Sequence, residues 1–425
     1  MTFLVFSLGC KVNSYECSAI SSMLLKKGYE EAKTGQNPDV FIINTCSVTA
    51  TADQKSRQHI RKFIKLYPHA ISVVMGCYSQ GNYHYISENI KPDILLGTSF
   101  RYLIPLLIEE FKNTHQPIVK VNDNTRNFTY EELGVTSFSE NVRAYLKIQD
   151  GCDNFCSYCL IPLRRGKMRS RNKSDIINEA KYLISKGYKE IILTGIHVGG
   201  YGKDLKDTSF SSLVEELLDL PGLRSLRISS IEESEIDEHL INLYQSRKNL
   251  APHIHIPLQS GSDTVLKRMN RKYTCQDFYD KLKKIRKALP SIALTSDVIV
   301  GFPGESEEEF NQTYNFIQNV GFNMLHVFPF SAREGTKAYY MENQISPDIK
   351  KQRVDKLITL SNKLWDEYCS CFVNKNNEVL IEKYDKENHI SYGHTPNYIE
   401  VKIENSNADV GSLININLAL ENIIK

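Results

Sequence analysis

Eight residues constrain this chain more than any others: Cys152-Asp153-Asn154-Phe155-Cys156-Ser157-Tyr158-Cys159, three thiols spaced by three residues and then two. The apolar run Tyr145-Leu146-Lys147-Ile148 leads into them and Asp150-Gly151 supplies a turn, so the thiols lie on a loop just past a strand. A loop can wrap thiolates and backbone N–H groups around a small inorganic object, which a straight strand cannot. Three thiolates are one short of closing a tetrahedral zinc site or a four-iron cluster. With no fourth ligand nearby, an iron–sulfur cluster here keeps one iron open, and an open iron can bind a substrate. A zinc knuckle, or three unrelated thiols, would use the same residues.

The chain holds ten cysteines, no apolar run of membrane length, and at Phe3-Leu4-Val5-Phe6 a stretch too short for a signal peptide. A cytoplasmic location is expected, and in a reducing compartment cysteines are ligands before they are disulfides. Cys17, Cys275, Cys369 and Cys371 fit no ligand spacing and read as buried or bland surface thiols. A length of 425 residues implies two or three domains. Net charge is only +2, so any nucleic-acid binding must come from local patches.

In chain order, residues 3–7 read as a buried strand, Gly9-Cys10-Lys11-Val12-Asn13 as a loop, and Ser14 as the cap of a helix over 15–27. Strands follow at Val40–Ile43, Ile71–Met75 and Asp93–Gly97, with a basic helix over 51–66. Strands alternating with helices imply a parallel, doubly wound α/β sheet. Cys10, Cys46 and Cys77 each lie just past the carboxyl end of a different strand, the edge where ligand sites of such sheets gather. Three thiols remote in sequence are therefore expected to meet and share a cluster.

Residues 113–142 are polar and read as a linker between a domain over 1–112 and one over 143–345. In the second, six strands alternate with five helices, which suits a partial, TIM-like (βα)6 barrel whose site lies at the strand carboxyl ends, with Cys152–Cys159. On the same rim Gly195 lets backbone approach a ligand, and Ser230, Gln259 and Asp297 can hold a ribose or an amino-acid moiety. A connecting helix over 346–376 leads to a tail over 377–425 whose alternating strands predict a small all-β barrel.

Two basic stretches stand out. Lys55, Arg57, His59, Arg61, Lys62 and Lys65 crowd one helix; Arg164, Arg165, Lys167, Arg169, Arg171 and Lys173 follow the cysteine loop. Six cations within ten residues repel one another unless an anion is near, and a polynucleotide is a natural one.

Taken together these motifs resemble the methylthiotransferases, a radical S-adenosylmethionine (SAM) family with two iron–sulfur clusters. The resemblance covers nearly the whole chain. The spacing of Cys152, Cys156 and Cys159, with Tyr158 before the last, is similar to the superfamily's SAM-cleaving signature, so these residues are expected to hold a [4Fe–4S] cluster whose open iron chelates SAM. Gly9–Glu16, Asn44–Thr49 and Gly76-Cys77 resemble the family's N-terminal motifs, which implies that Cys10, Cys46 and Cys77 hold an auxiliary [4Fe–4S] cluster. Pro162–Arg171 resembles the basic segment after the first cluster, and Ser331–Thr336 the segment closing the barrel. The tail, with Gly393-His394-Thr395-Pro396-Asn397-Tyr398, resembles the RNA-binding TRAM domain, although from 378 on it carries eight acids against four lysines, a balance that argues against an electrostatic grip on RNA.

The resemblance implies two uses of SAM, one molecule methylating sulfur held at the auxiliary cluster and another yielding the radical that takes hydrogen from adenine C2. An electron donor and a sulfur source are implied partners. Gly9–Asn13 and Thr194-Gly195-Ile196-His197-Val198 look most like the branch acting on N6-threonylcarbamoyladenosine of tRNA, next to the anticodon; isopentenyladenosine and a ribosomal-protein aspartate are the substrates of the other branches. A threonyl carboxylate suits a cationic rim, for which Arg333 and the run after Cys159 are candidates, whereas an isopentenyl reader should show an apolar wall. A non-enzymatic zinc protein that binds RNA is the reading from another class; it leaves the barrel rim unexplained.

Overall fold

The computed structural model describes residues 1–134 and 142–424. The first domain is a six-stranded parallel sheet in the spatial order Glu30–Glu31, Thr2–Ser7, Val40–Thr45, Ile71–Gly76, Ile94–Leu96, Ile118–Lys120. The chain steps first to one side of Thr2–Ser7 and then to the other, so a crevice opens beyond the carboxyl ends of Thr2–Ser7 and Val40–Thr45. Val40–Thr45 is buried along its whole length because helices cover both faces: Ile42 packs with Ile20 and Leu24, Ile43 with Ile60 and Tyr78.

Two sequence expectations change here. The first helix runs Lys11–Lys26 and is capped by Cys10, not Ser14, whose N–H already donates to the Cys10 carbonyl at 3.1 Å. The stretch 113–142 is more than a linker: the helix Ile104–Thr114 ends inside it, Ile118–Lys120 forms the sheet edge, Phe128, Tyr130 and Glu132 pack on cations of the barrel, and Glu131 pairs with Arg101 of the first domain. Residues 135–141 of that linker lie outside the described residues.

The second domain has six parallel strands in sequence order, Arg143–Lys147, Glu190–Thr194, Ser225–Ile228, His253–His255, Ala293–Val300 and Met324–Pro329. Regular pairing groups them in threes, and single bridges at Leu226–Leu250 and Ser230–His255 join the groups into an open barrel. Helices Lys173–Ser185, Phe210–Leu218, Glu238–Ser246, Cys275–Ala288 and Glu307–Val320 coat the outside, turning Ile176, Leu213, Leu240, Phe278 and Ile317 onto the strands. A long helix, Pro347–Ser370, crosses to the tail. There the expected barrel is a four-stranded antiparallel sheet, ordered Glu400–Ile403, Ile390–His394, Asn376–Asp385, Leu413–Asn417, with no pairing between its outer strands among the described residues.

Candidate metal centres and the cavity between them

Cys10, Cys46 and Cys77 sit at the carboxyl edge of three adjacent strands, and two of them start helices: Cys10 caps Lys11–Lys26 and Cys77 opens Cys77–Asn89. Burial raises the Cys77 thiol above its ordinary value, against the pull of the Arg165 guanidinium beside it. Gly9 has φ of +97°, and a Cβ on it would lie 2.6 Å from both Cβ and Sγ of Cys46, so bare backbone brings Cys10 alongside Cys46. Asn13 pins the two loops together, its Nδ2 donating to the carbonyls of Leu8 (2.6 Å) and Thr45 (3.2 Å). Burial pushes the Cys46 thiol up to about 11, and the nearness of Cys77 and Cys10 adds to it.

The loop with the other three thiols is closed at its base by an antiparallel pair, Gln149–Asp150 with Arg169–Ser170. Cys152 N–H donates to the Gly166 carbonyl (3.1 Å) and Cys159 N–H to that of Cys156 (3.0 Å). Ser157 ties the loop to the barrel through Met269 and Arg268, and Asn270 through Phe155. Arg271 donates to Cys156 Sγ at 3.4 Å; His197 Nδ1 lies 3.8 Å from Cys152 Sγ, with its other nitrogen 2.7 Å from Glu235. Burial pushes Cys159 up to about 12, with Cys156 and Cys152 raising it further.

The basic run after Cys159 is mostly internal. Arg165 is fully buried: Nη1 reaches Glu16 (2.8 Å) and Asp150 (3.2 Å), Nη2 donates to Asn13 Oδ1 (3.0 Å), and Nε donates to Cys77 Sγ (3.2 Å). Glu16, from the first domain, also pairs with Arg101 and with Lys147 (3.0 Å), and Lys147 with Asp150 (2.7 Å). Burial alone would raise the Glu16 carboxyl; Arg101, Arg165 and Lys147 outweigh it and hold the group well below the usual carboxylate range. Arg169 is buried over the Phe128 ring, and Arg171 is buried between Glu132 and Glu179. The expectation that these three arginines meet substrate phosphates is therefore corrected, since carboxylates of the protein supply their anions. Arg164 is partly buried beside Gly81 and only Lys167 is exposed. Arg333 is likewise no open cation: it is buried, pairs with Asp53 and donates to Ser47 Oγ at 3.1 Å, tying the barrel's closing segment to the loop after Cys46.

Two cavities adjoin. One, of about 160 Å³, is lined by Cys152, Cys156 and Cys159 with Ser230, Gln259 and Arg271. The other, of about 740 Å³, runs down the barrel lumen from Gly9, Cys10 and Gly195 past His255, Asp297 and His326 to Arg227 and Tyr398. Ile161, Ile196 and Ser230 line both, so Cys10 of the first set and the three thiols of the second open onto adjoining cavities. The four rim residues thus divide: Ser230 and Gln259 lie by the cysteine loop, Gly195 and Asp297 on the larger lumen, which Ser230 also borders. The floor is not legible in sequence. Tyr398, from the tail, stacks on His253 (centroids 5.0 Å apart) and under Arg227 (4.5 Å), and Arg143 donates to its hydroxyl.

The donor chemistry fits iron–sulfur clusters better than zinc. Tetrahedral zinc with bonds of about 2.3 Å holds its sulfurs roughly 3.8 Å apart. Among the described residues the one group of three ligand atoms within 4.8 Å is His255, Asp297 and His326, so neither cysteine set is drawn tight enough for a single ion. Within that group His255 bonds Thr295 (2.9 Å) and Asp297 (3.3 Å), and its ring packs against that of His326.

Residues 146–317 match the radical SAM superfamily and residues 2–97 an uncharacterized protein family, UPF0004. The chain is 45% identical over 98% of its length to the threonylcarbamoyladenosine tRNA methylthiotransferase MtaB of Bacillus subtilis, covering 93% of that protein. It is 35% identical to the MtaB of Aquifex aeolicus (96% and 98% covered) and 34% identical to the tRNA-2-methylthio-N(6)-dimethylallyladenosine synthase of Acetivibrio thermocellus (97% and 87%). In fold it is similar to the radical SAM methyltransferase TsrM of Kitasatospora setae, with a TM-score of 0.57, 13% identity and coverage of 77% of this chain and 72% of that one. Full-length similarity at this level, on a barrel and a sheet that present two cysteine sets, places the chain in the radical SAM methylthiotransferase family.

Proposed function

We propose that this protein adds a methylthio group to C2 of N6-threonylcarbamoyladenosine in tRNA, next to the anticodon. The observation that carries this reading is the lumen of about 740 Å³, which has Cys10 at one end, adjoins the Cys152–Cys159 cavity, and carries Lys11 and Arg227 on a wall that is otherwise largely apolar. Cys152, Cys156 and Cys159 would hold one iron–sulfur cluster and Cys10, Cys46 and Cys77 another, which would supply the electron for SAM cleavage and a site for the sulfur. The chain's own residues orient and shield. Ile161 and Ile196 keep water from the passage between the two cavities. Ser230 and Gln259 are placed to bind the SAM moiety, and Gly195 leaves room for a base to lie against the second strand's end. Lys11 and Arg227 set two cations among Val12, Ile161, Ile196, Ile228, Met324 and Phe328, so a carboxylate on the base finds partners there that an isopentenyl group does not use.

A base can enter only by leaving its stack, which costs least in a single-stranded loop. Backbone contacts fall to exposed cations, Lys167 beside the cysteine loop and Lys55, Arg61, Lys62 and Lys65 on the helix Ala50–Leu66. The electron donor and the sulfur source are partners of unknown identity. Anaerobic turnover on threonylcarbamoylated and on isopentenylated tRNA, read by nucleoside mass, tests the assignment. The first should gain the methylthio mass; preferential thiomethylation of the second, or of a ribosomal protein, overturns the substrate and leaves the chemistry standing.

A further inference from the structure

Among the described residues, two cationic side chains on the lumen have nitrogen donors without partners, Lys11 and Arg227; the Nδ1 of His253 is unpartnered too but belongs to an uncharged ring. Lys11, one residue past Cys10, projects from the first helix into the barrel, where its side chain makes no hydrogen bond or ion pair among the described residues. The charged groups nearest it are Arg143, Arg227 and Glu190. Glu190 is not available to it, being held by Arg227 (2.8 Å) and His394 (3.5 Å). Asp297, the acid on the lumen wall, is engaged by His255. Arg227 is 1% exposed; Nε and Nη2 bind Glu190, Nη2 also bonds the Pro396 carbonyl (3.0 Å), and Nη1 has no partner among the described residues. Buried cationic donors are costly to leave unmet. Both line a cavity that a substrate must enter, so the missing partner is an anion of the substrate.

We propose that Lys11 and Nη1 of Arg227 form the receptor for a carboxylate carried by the substrate base, and that this receptor sets the choice between a carboxylate-bearing adenosine and a prenylated one. The inference rests on the function proposed above. A carboxylate accepts from both donors and neutralises Lys11. An alkenyl group leaves both unmet, which is how a polar site rejects an analogue lacking the polar group. Glu190 fixes the guanidinium in one orientation with Nη1 buried just beneath the lumen wall, and Lys11, on the wall itself, reaches the ligand first.

The test is equilibrium binding of anticodon stem-loops to the anaerobically reconstituted holoenzyme. Four loops carry adenosine, threonylcarbamoyladenosine, its carboxamide, or isopentenyladenosine. The wild type should bind the carboxylate about 10- to 100-fold more tightly than the carboxamide, the span of one charge-assisted hydrogen bond. Lys11→Met should erase that ratio, Lys11→Arg should keep part of it, and both variants should bind the unmodified loop and SAM as the wild type does. A wild type indifferent to carboxylate against carboxamide, or a Lys11→Met variant that keeps the ratio, overturns the receptor while the function stands. A variant that loses SAM affinity instead would assign the receptor to the carboxylate of SAM and overturn it equally. A wild type that prefers the isopentenylated loop overturns the proposed function and the receptor with it.

Discussion

Replacing Gly9 by Ala isolates the geometry of the first cysteine set. At φ of +97° an L side chain is strained, costing about 1–2 kcal/mol. Gly28→Ala carries a similar strain, at φ of +83°, but its Cβ would meet nothing within 4 Å. The difference between the two variants is therefore the clash with Cys46. At Gly9 the new Cβ lies 2.6 Å from Cys46 Cβ and Sγ. Carbon atoms sit comfortably at about 3.5–4.0 Å, so Cys46 must retreat by roughly 1 Å. Metal–ligand distances tolerate only about 0.2 Å. Gly9→Ala should thus lose the auxiliary cluster and about half the bound iron, yet still cleave SAM, since Cys152, Cys156 and Cys159 are untouched. Gly28→Ala should keep all its iron and show only a lowered unfolding midpoint. Iron analysis with electron paramagnetic resonance of the reduced proteins measures this. Full iron in Gly9→Ala, or equal iron loss in both variants, would refute the placement of Gly9 against Cys46.

Other outcomes rest on the same geometry. Changing Cys152, Cys156 and Cys159 together to Ala should abolish SAM cleavage and leave about half the iron on Cys10, Cys46 and Cys77, checked by iron analysis. Glu16→Gln should destabilise the protein by roughly 3–5 kcal/mol in chemical denaturation, because it leaves Arg101, Lys147 and Arg165 buried with one carboxylate fewer. Glu309 is partly exposed; burial would raise its carboxyl, but Arg268, Thr264 and the Ser306 N–H bring it down to about 2. A depressed carboxyl contributes stability above its unfolded value of 4.5, lost as pH falls toward 2. The deficit of Glu309→Gln at pH 7, about 1 kcal/mol or less after solvent screening, should therefore shrink in thermal scans as pH drops below 4.5. Lys62→Ala with Lys65→Ala should lower the salt slope of tRNA binding by about 0.7–0.9 for each phosphate no longer neutralised, whereas Arg171→Lys should leave the slope unchanged.

What is legible in sequence is what local pattern can carry. Buried parallel strands read as apolar runs, so all six barrel strands can be placed within a residue or two, and a cysteine after a strand end marks the edge where sites form. What is not legible depends on partners remote in the chain. Glu16 and Arg165 are 149 residues apart and each looks like a surface charge, so nothing local shows that together they form the seam between two domains. The same seam explains why the basic run misleads: its repulsion is relieved by internal acids, a solution that spacing cannot distinguish from a bound polynucleotide. Phe128 and Tyr130 sit in a polar stretch without periodicity because they pack on Arg169 and Lys147 rather than on an apolar core. Lys11 reads as part of a loop because cysteine is an unusual helix cap, and the extended backbone at Cys10 carries no sequence signal of its own.

Tyr398 belongs to the tail, which follows the barrel in the chain, yet it forms part of the lumen's floor. During synthesis the two cysteine sets and the barrel emerge before that floor does. A nascent chain therefore presents a reaction chamber open at its lower end, and the chamber acquires its last wall only when the tail has left the ribosome and folded. A shortened tail would hold the chain in that earlier state, with its lumen open to oxygen from below.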